Sequence, residues 1–389
     1  MRFILPGLAL LFGCGGGTAG NPDAAIHDTG ADLDAAPPDA ASPFCPSPQT
    51  VNPGTTTEVT IAGETAAEGI FDPSIVYPAG ASSGVMAYSA LPDQLTIRTH
   101  IAASSDHGAT WTYVTEPNVP EAVAIAADAS ECAGGVCVGN LISEVSSLVY
   151  DADDPDPSRR WKLFAHRYVV GAGVALHYSV GTITLQTAAQ PQGPWTAPQK
   201  LIGWAGPAAY SSTGVVTNAS TLPGMADCLA LTEPGALWLP GTLDLAVGCV
   251  YIDGTPKIRI ELLRSPDHGA SWGRVGTLVG PTDATPCVGA PANLNAPNLF
   301  VAGGQEFVSA TPSDETGYHG CLVFAIDDIG TGHVARDAMG RAIVQRALTA
   351  AQFDGACTFA EGAGGYLIDV GFLQDARKFR IFAPGPASP

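Results

Sequence analysis

The chain has 389 residues, 46% of them hydrophobic and only 14% charged, with 46 glycines and 32 prolines. That is enough for one large β domain or two small ones, and the glycine and proline content suits many short strands joined by turns. The formal charge of −20 excludes nucleic acid as a partner, because no basic stripe exists to release counterions.

In chain order, Met1-Arg2 carries one positive charge and Phe3 to Gly13 is an apolar run. The run is too short to span a bilayer and reads as the h-region of a signal peptide. It ends in Leu11-Phe12-Gly13-Cys14, which resembles a bacterial lipobox. The resemblance implies that Cys14 is acylated and becomes the new amino terminus; cleavage a few residues later is the competing reading. After it come Asp23, Asp28, Asp32, Asp34 and Asp39, with no Lys or Arg, among many Ala, Gly and Pro. Such a stretch buries too little apolar surface to offset its ordering entropy. The expected organisation is therefore a lipoprotein signal peptide at 1–14, a disordered acidic tether at 15–49 and a folded body at 50–389. This predicts export, a lipid anchor in the outer membrane or cell surface as the sole membrane contact, and a monomer.

Besides Cys14, eight cysteines remain, and an even number in an exported chain reads as disulfides. Cys132 and Cys137 enclose a Gly-rich loop and are expected to pair. Cys228 and Cys249 flank a hairpin and form the second pair. Cys321 with Cys357 is the third, and Cys45 with Cys287 follows by elimination. Zinc is disfavoured because no second close pair or histidine cluster accompanies Cys132 and Cys137.

Ser104-Ser105-Asp106-His107-Gly108-Ala109-Thr110-Trp111 recurs as Ser265-Pro266-Asp267-His268-Gly269-Ala270-Ser271-Trp272. In both, Asp106 or Asp267 can accept amides inside a tight turn. Gly108 or Gly269 takes the positive φ, and Trp111 or Trp272 packs back on the sheet. His107 and His268 repeat with the turn and read as exposed turn residues. Strand-like units open at Phe71, Val145, Thr232, Ala296 and Cys357, the last continuing through Lys378 to Phe382. Trp161 to Val170 and Thr182 to Leu185 read as further strands, and Ala335 to Phe353 as a short helix. Spacings of about 45 to 75 residues fit four-stranded blades.

The repeated turn resembles the Asp-box of sialidases and related propellers. Phe71-Asp72-Pro73 resembles the first-blade Asp-Pro motif of five-bladed arabinanase, β-xylosidase and invertase-like glycosidases. Together they imply an all-β propeller over nearly all of residues 55–385, with five blades; a six-bladed sialidase-like ring is the alternative.

The innermost strands of a propeller begin at a central channel, where distant residues converge. Asp72 takes that place in the first unit and Glu233 in the third, and Glu144 stands one residue before it in the second. Three acids at one mouth suit glycoside hydrolysis. The resemblance implies that Asp72 is the general base and Glu233 a second acid. It also implies a proton donor at the fourth unit, where Asn293-Leu294-Asn295-Ala296-Pro297 has no acid. Capping of backbone amides is the plain reading of Asp72 and Glu233. His166 and Arg167 alternate on a strand, so one could face the mouth and bind sugar. Asp151, Asp153, Asp154 and Asp156 form an acidic loop with oxygen ligands of the kind calcium takes, though it lacks the glycine and closing glutamate of an EF-hand. No other cofactor is indicated. An exo-sialidase would need three arginines, for which Arg98, Arg167 and Arg259 are available, and a tyrosine such as Tyr318. The functional expectation is a glycoside hydrolase acting on extracellular poly- or oligosaccharide. A non-catalytic propeller binding glycan or protein is the main alternative, and an exo-sialidase the second.

Overall fold

The computed structural model describes residues 45–51, 55–78, 82–93, 96–314, 317–350, 354–360, 365–370 and 379–383. The signal peptide with Cys14, the tether up to residue 44, Phe353 and Lys378 lie outside the described residues. Five sheets follow one another along the chain. Blade one consists of Gly69–Val76, Gly84–Asp93, Thr96–Ser104 and Trp111–Thr115; blade two of Val136–Tyr150, Trp161–Gly171, Ala175–Ala188 and Gln199–Gly203. Blade three is Ala230–Leu239, Thr242–Asp253, Thr255–Ser265 and Gly273–Val279, and blade four is Asn293–Ala302, Gln305–Asp314, Cys321–Asp328 and Val344–Ala350. Blade five has Asp354–Ala360, Gly365–Val370 and Arg380–Ala383. Each first strand touches the first strand of the next blade, and that of blade five touches that of blade one, so the ring is closed. The fold is a five-bladed, all-β propeller.

Inner strands are flanked on both faces, so they read as apolar runs rather than alternating ones: the first seven residues of Ala230–Leu239 are all buried. Adjacent inner strands come so near that a Cβ on Gly235 would lie 2.1 Å from the Pro297 carbonyl oxygen, which only glycine permits. At the seam between blades five and one, Phe71 stacks on Phe379 with ring centroids 4.6 Å apart.

The amino-terminal segment closes the ring. Thr57–Glu58 runs antiparallel to Arg380–Ala383 as the fourth strand of blade five. Gln49–Val51 lies parallel to Val344–Ala350 on the outer edge of blade four. Cys45 is bonded to Cys287, so the folded body begins ahead of residue 50. All four expected disulfides are present: Cys45–Cys287, Cys132–Cys137, Cys228–Cys249 and Cys321–Cys357. Among the described residues, 335–350 hold no part of the helix expected from Ala335 to Phe353. Val344–Ala350 is a strand, because Cys321–Asp328 and Gln49–Val51 offer it backbone partners on both edges, and tertiary pairing overrides local helix preference.

The two repeated turns each join the third and fourth strands of their blade and share one bonding scheme. Asp106 Oδ1 accepts from Thr110 N at 2.9 Å and Oδ2 from Thr110 Oγ1 at 2.7 Å. Asp267 does the same with Ser271 at 2.8 and 2.6 Å. Positive φ falls on the histidine as well as the glycine, at 55° and 83° in one turn and 60° and 94° in the other. Trp111 and Trp272 are buried against their sheets. His107 is exposed as expected; His268 is not a free turn residue, for its Nδ1 lies 3.0 Å from Asp151 Oδ2.

Candidate active site

One backbone irregularity places the functional side chains. Each of the first four inner strands slips register against its neighbour, between Phe71 and Ser74, Glu144 and Ser147, Thr232 and Gly235, and Asn295 and Asn298. The first residue of each slip has positive φ although none is glycine: Asp72 at 51°, Val145 at 47°, Glu233 at 52° and Ala296 at 44°. Proline follows in three of the four, which a bulge tolerates because no ladder bond is required there. A strained bulge with a polar residue often marks function. Here Val145 and Ala296 adopt it with apolar side chains, so the bulge belongs to the blade architecture. Chemistry enters only where an acid occupies it.

The bulges are stitched to one another across blades. Asp72 Oδ2 accepts from Ser89 Oγ at 3.1 Å, and Ser89 Oγ accepts from the Val145 amide at 3.1 Å. Glu233 Oε2 accepts from the Ala296 amide at 2.7 Å. Ser147 Oγ accepts from the Ala236 amide at 2.8 Å. Asp72 and Glu233 are 8% and 7% exposed, so each is a nearly buried carboxyl with a firm partner.

Burial raises the Glu233 pKa to about 7; the Ala296 amide opposes the rise and the neighbouring Glu144 charge adds to it. Burial also raises Glu144 to about 7, against a hydrogen bond donated by the Tyr168 hydroxyl. Behind Glu144, the buried His166 ring packs against Tyr168, Tyr178 and Trp204. Burial lowers its pKa to about 3, so the imidazole is neutral. Tyr318, from a short hairpin inserted in blade four, marks the convergence. Burial raises its pKa well above the ordinary value, and the charges of Glu233, Glu144 and Asp72 all add to the shift. The three acids named from blade starts thus share one neighbourhood, on three consecutive blades.

Of the remaining sequence-named residues, His166 is 1% exposed and packs on Tyr168, the hydroxyl partner of Glu144; the others lie elsewhere. Arg167 points the other way and pairs with Glu121 at 2.9 Å. Arg98 pairs with Glu116 at 2.9 Å, and Arg259 with Asp227 at 2.7 Å and Glu261 at 2.5 Å, so each of the three arginines is held by its own carboxylate on a different blade. The acidic loop is also taken up internally. Lys162, fully buried, lies 2.6 Å from Asp154 and 3.5 Å from Asp151, and its ammonium is the positive charge these two carboxylates face. Asp153 accepts from the Gly241 amide and Asp156 caps a short 3-10 turn. A flank cleft of about 730 Å3 between blades two and three is lined by Arg159, Thr187, Gln199 and Gly269 among others, and by none of the three acids. Sequence reasoning did not select Tyr168 or Tyr178, and it named Tyr318 only as a possible sialidase tyrosine, not as a neighbour of the three acids.

No family model matches the sequence, and no curated protein matches it. Solved structures do. A GH32 β-fructofuranosidase from Bombyx mori superposes with a TM-score of 0.50 at 13% identity, over 81% of this chain and 59% of that one. A thermostable family-43 glycoside hydrolase gives 0.50 at 11% identity, over 84% and 91%. The chain has the fold of the glycosidase-type β-propellers. It spans about three fifths of the Bombyx mori enzyme's length.

Proposed function

We propose that the protein is an exported glycoside hydrolase acting on an extracellular poly- or oligosaccharide. The observation that carries this reading is the pair of glutamates raised to about 7 beside the hydrogen-bonded Asp72. A carboxyl that keeps its proton near neutrality can donate it to a glycosidic oxygen, and a neighbouring carboxylate can activate water. Asp72 is the base; the Ser89 hydroxyl stabilises its ionised form. Glu233 is the proton donor, and any ionisation of Glu144 beside it raises the Glu233 pKa further. A second reading, a glycan-binding propeller without turnover, is favoured by one contact: Glu233 caps the Ala296 amide, a role that needs no chemistry.

The reading extends to the amino terminus and the repeated turns. Residues 1–14 would be the signal peptide, Cys14 the lipidated residue, and the acidic segment a tether to the outer membrane or cell surface. The turns at Asp106 and Asp267 would be Asp-boxes serving structure alone.

The test is hydrolysis of a panel of aryl glycosides and polysaccharides by the protein and by Asp72→Asn. Turnover should fall by about 10²–10⁴-fold in the variant, with the folded state retained. The parent rate should decline as pH rises through about 7, where Glu233 loses its proton. Turnover unchanged in the variant would remove Asp72 from the mechanism. Absence of turnover on every substrate by folded protein would leave the glycan-binding reading.

A further inference from the structure

Blade two stands taller than its neighbours. Its inner strand starts nine residues ahead of the bulge at Val145, against three residues in blades one, three and four. The six extra residues add about 20 Å of strand, and Glu121–Ala126 pairs along them to make a wall beside the mouth. Alternate residues face opposite ways. Ile142, Tyr168 and Tyr178 pack together on one face, and Cys137, Leu141 and Val169 on the other.

On that second face Cys132 and Cys137 meet His177 and Glu131. Cys132 Sγ lies 3.4 Å from Nδ1 and 3.6 Å from Nε2 of His177. Glu131 Oε1 lies 3.1 Å from His177 Nδ1. Ligand atoms of both cysteines and the histidine lie within 4.8 Å of one another, and among the described residues no other disulfide is grouped with a histidine. In a tetrahedral zinc site with Zn–S about 2.3 Å and Zn–N about 2.0 Å, neighbouring ligand atoms stand about 3.3 to 3.8 Å apart. The sulfur–nitrogen and nitrogen–oxygen separations are already close to these values. The sulfur–sulfur bond holds two donors too near each other, and the Glu131 carboxylate, held by His177 but outside the group of the two cysteines and the histidine, has to swing in. The loop between the cysteines is centred on Gly134 and Gly135, both at positive φ, and the Val136 side chain is exposed, so little packing resists opening.

We infer that reduction of Cys132–Cys137 uncovers a site for zinc or a similar divalent ion, with Cys132, Cys137, His177 and Glu131 as ligands. A dithiol reductant gives two electrons and two protons to the disulfide, leaving two thiols and its own disulfide. The metal then displaces the two thiol protons and takes one neutral ring nitrogen and one carboxylate oxygen. The sequence conceals the site because His177 is 45 residues from Cys132 and reaches it only across the folded wall. Where the disulfide ties one loop to itself, the metal ties that loop to the strand Ala175–Ala188. The wall beside the mouth is thereby fastened in the reduced state.

The test is cobalt titration of the full chain, anaerobically, before and after reduction with a phosphine. Reduced protein should develop thiolate-to-cobalt absorption and tetrahedral ligand-field bands, saturating at about one ion per chain and lost on adding zinc. Oxidised protein should show neither. His177→Ala should weaken binding at least about tenfold, and a reduced Cys132→Ser/Cys137→Ser variant should lack the signal, which separates this site from the other cysteines. A signal that survives in the double variant, or is indifferent to His177→Ala, overturns the inference, as does silence in reduced protein with unchanged circular dichroism. If full reduction unfolds the chain, Cys137→Ser leaves Cys132 free without reductant. A cobalt–thiolate band should then appear and vanish on adding His177→Ala; its absence equally overturns the inference.

Discussion

Two acid clusters in this molecule solve the same electrostatic problem in opposite ways. At the seam of blades two and three, Asp151 and Asp154 are buried around the Lys162 ammonium, with His268 closing the group. At the mouth, Asp72, Glu144 and Glu233 converge, and the contacts that hold them come from hydroxyl and amide donors: Ser89, Tyr168 and the Ala296 amide. Burial pushes the Asp154 pKa up, but the Lys162 hydrogen bond, the Asp156 amide and the charges of Lys162 and Arg159 together outweigh it, and the net shift is downward. Without such a counter-charge, burial prevails and both mouth glutamates rise to about 7. Carboxyls of one kind thus become a clamp beside a cation and a proton reservoir without one.

Three substitutions sharpen the contrast. The largest effect is expected from Lys162→Met, which leaves buried carboxylates uncompensated. It should cost about 3–5 kcal/mol at pH 7, measured by urea unfolding. The depressed Asp154 pKa contributes stability above its ordinary value that is lost as pH falls, so the gap between parent and variant should narrow in acid. A cost that stays constant with pH would assign the loss to packing. Next, Glu233→Gln should stabilise the protein at alkaline pH. A raised folded pKa gives stability that is present below the ordinary value and lost as pH rises through about 7. The variant should therefore match the parent near pH 4 and exceed it by about 2–3 kcal/mol at pH 8, with thermal unfolding followed at both. Equal stability at pH 8 would mean that Glu233 is ionised without penalty. The smallest effect is expected from Tyr168→Phe, at about 1 kcal/mol of stability. Because the lost hydrogen bond favours ionised Glu144, its titration, followed by carboxyl carbon resonances, should move upward.

The sequence carried the ring and its acids because both depend on local signals. Asp72-Pro73, Glu233-Pro234 and Ala296-Pro297 mark bulges, since proline leaves a gap in the ladder that a bulge absorbs. The two S-x-D-x-G-x-[ST]-W turns mark outer hairpins for a similar reason. Other features depend on chain segments far apart. Tyr318 reaches the acids from a two-residue strand in blade four, and no periodicity reports that meeting. Lys162 sits between Trp161 and Leu163 in a strand buried along nearly its whole length; its charge suggests a surface, and only the fold brings Asp151 and Asp154 around it. Alternation puts His166 and Arg167 on opposite sides of their strand, but it does not say which side holds a solvent-facing partner such as Glu121.

The disulfide between Cys45 and Cys287 also determines how the molecule bears a mechanical load. A pull applied at the amino-terminal end of the described chain reaches Cys45 before it reaches Gln49–Val51 or Thr57–Glu58, the two short strands that close the ring. The force passes through a covalent bond to Cys287, in the short turn of helix ahead of blade four's inner strand, and bypasses hydrogen bonds that would otherwise peel one at a time. A load on that end would be borne by the body as a whole, with the ring's seam left slack.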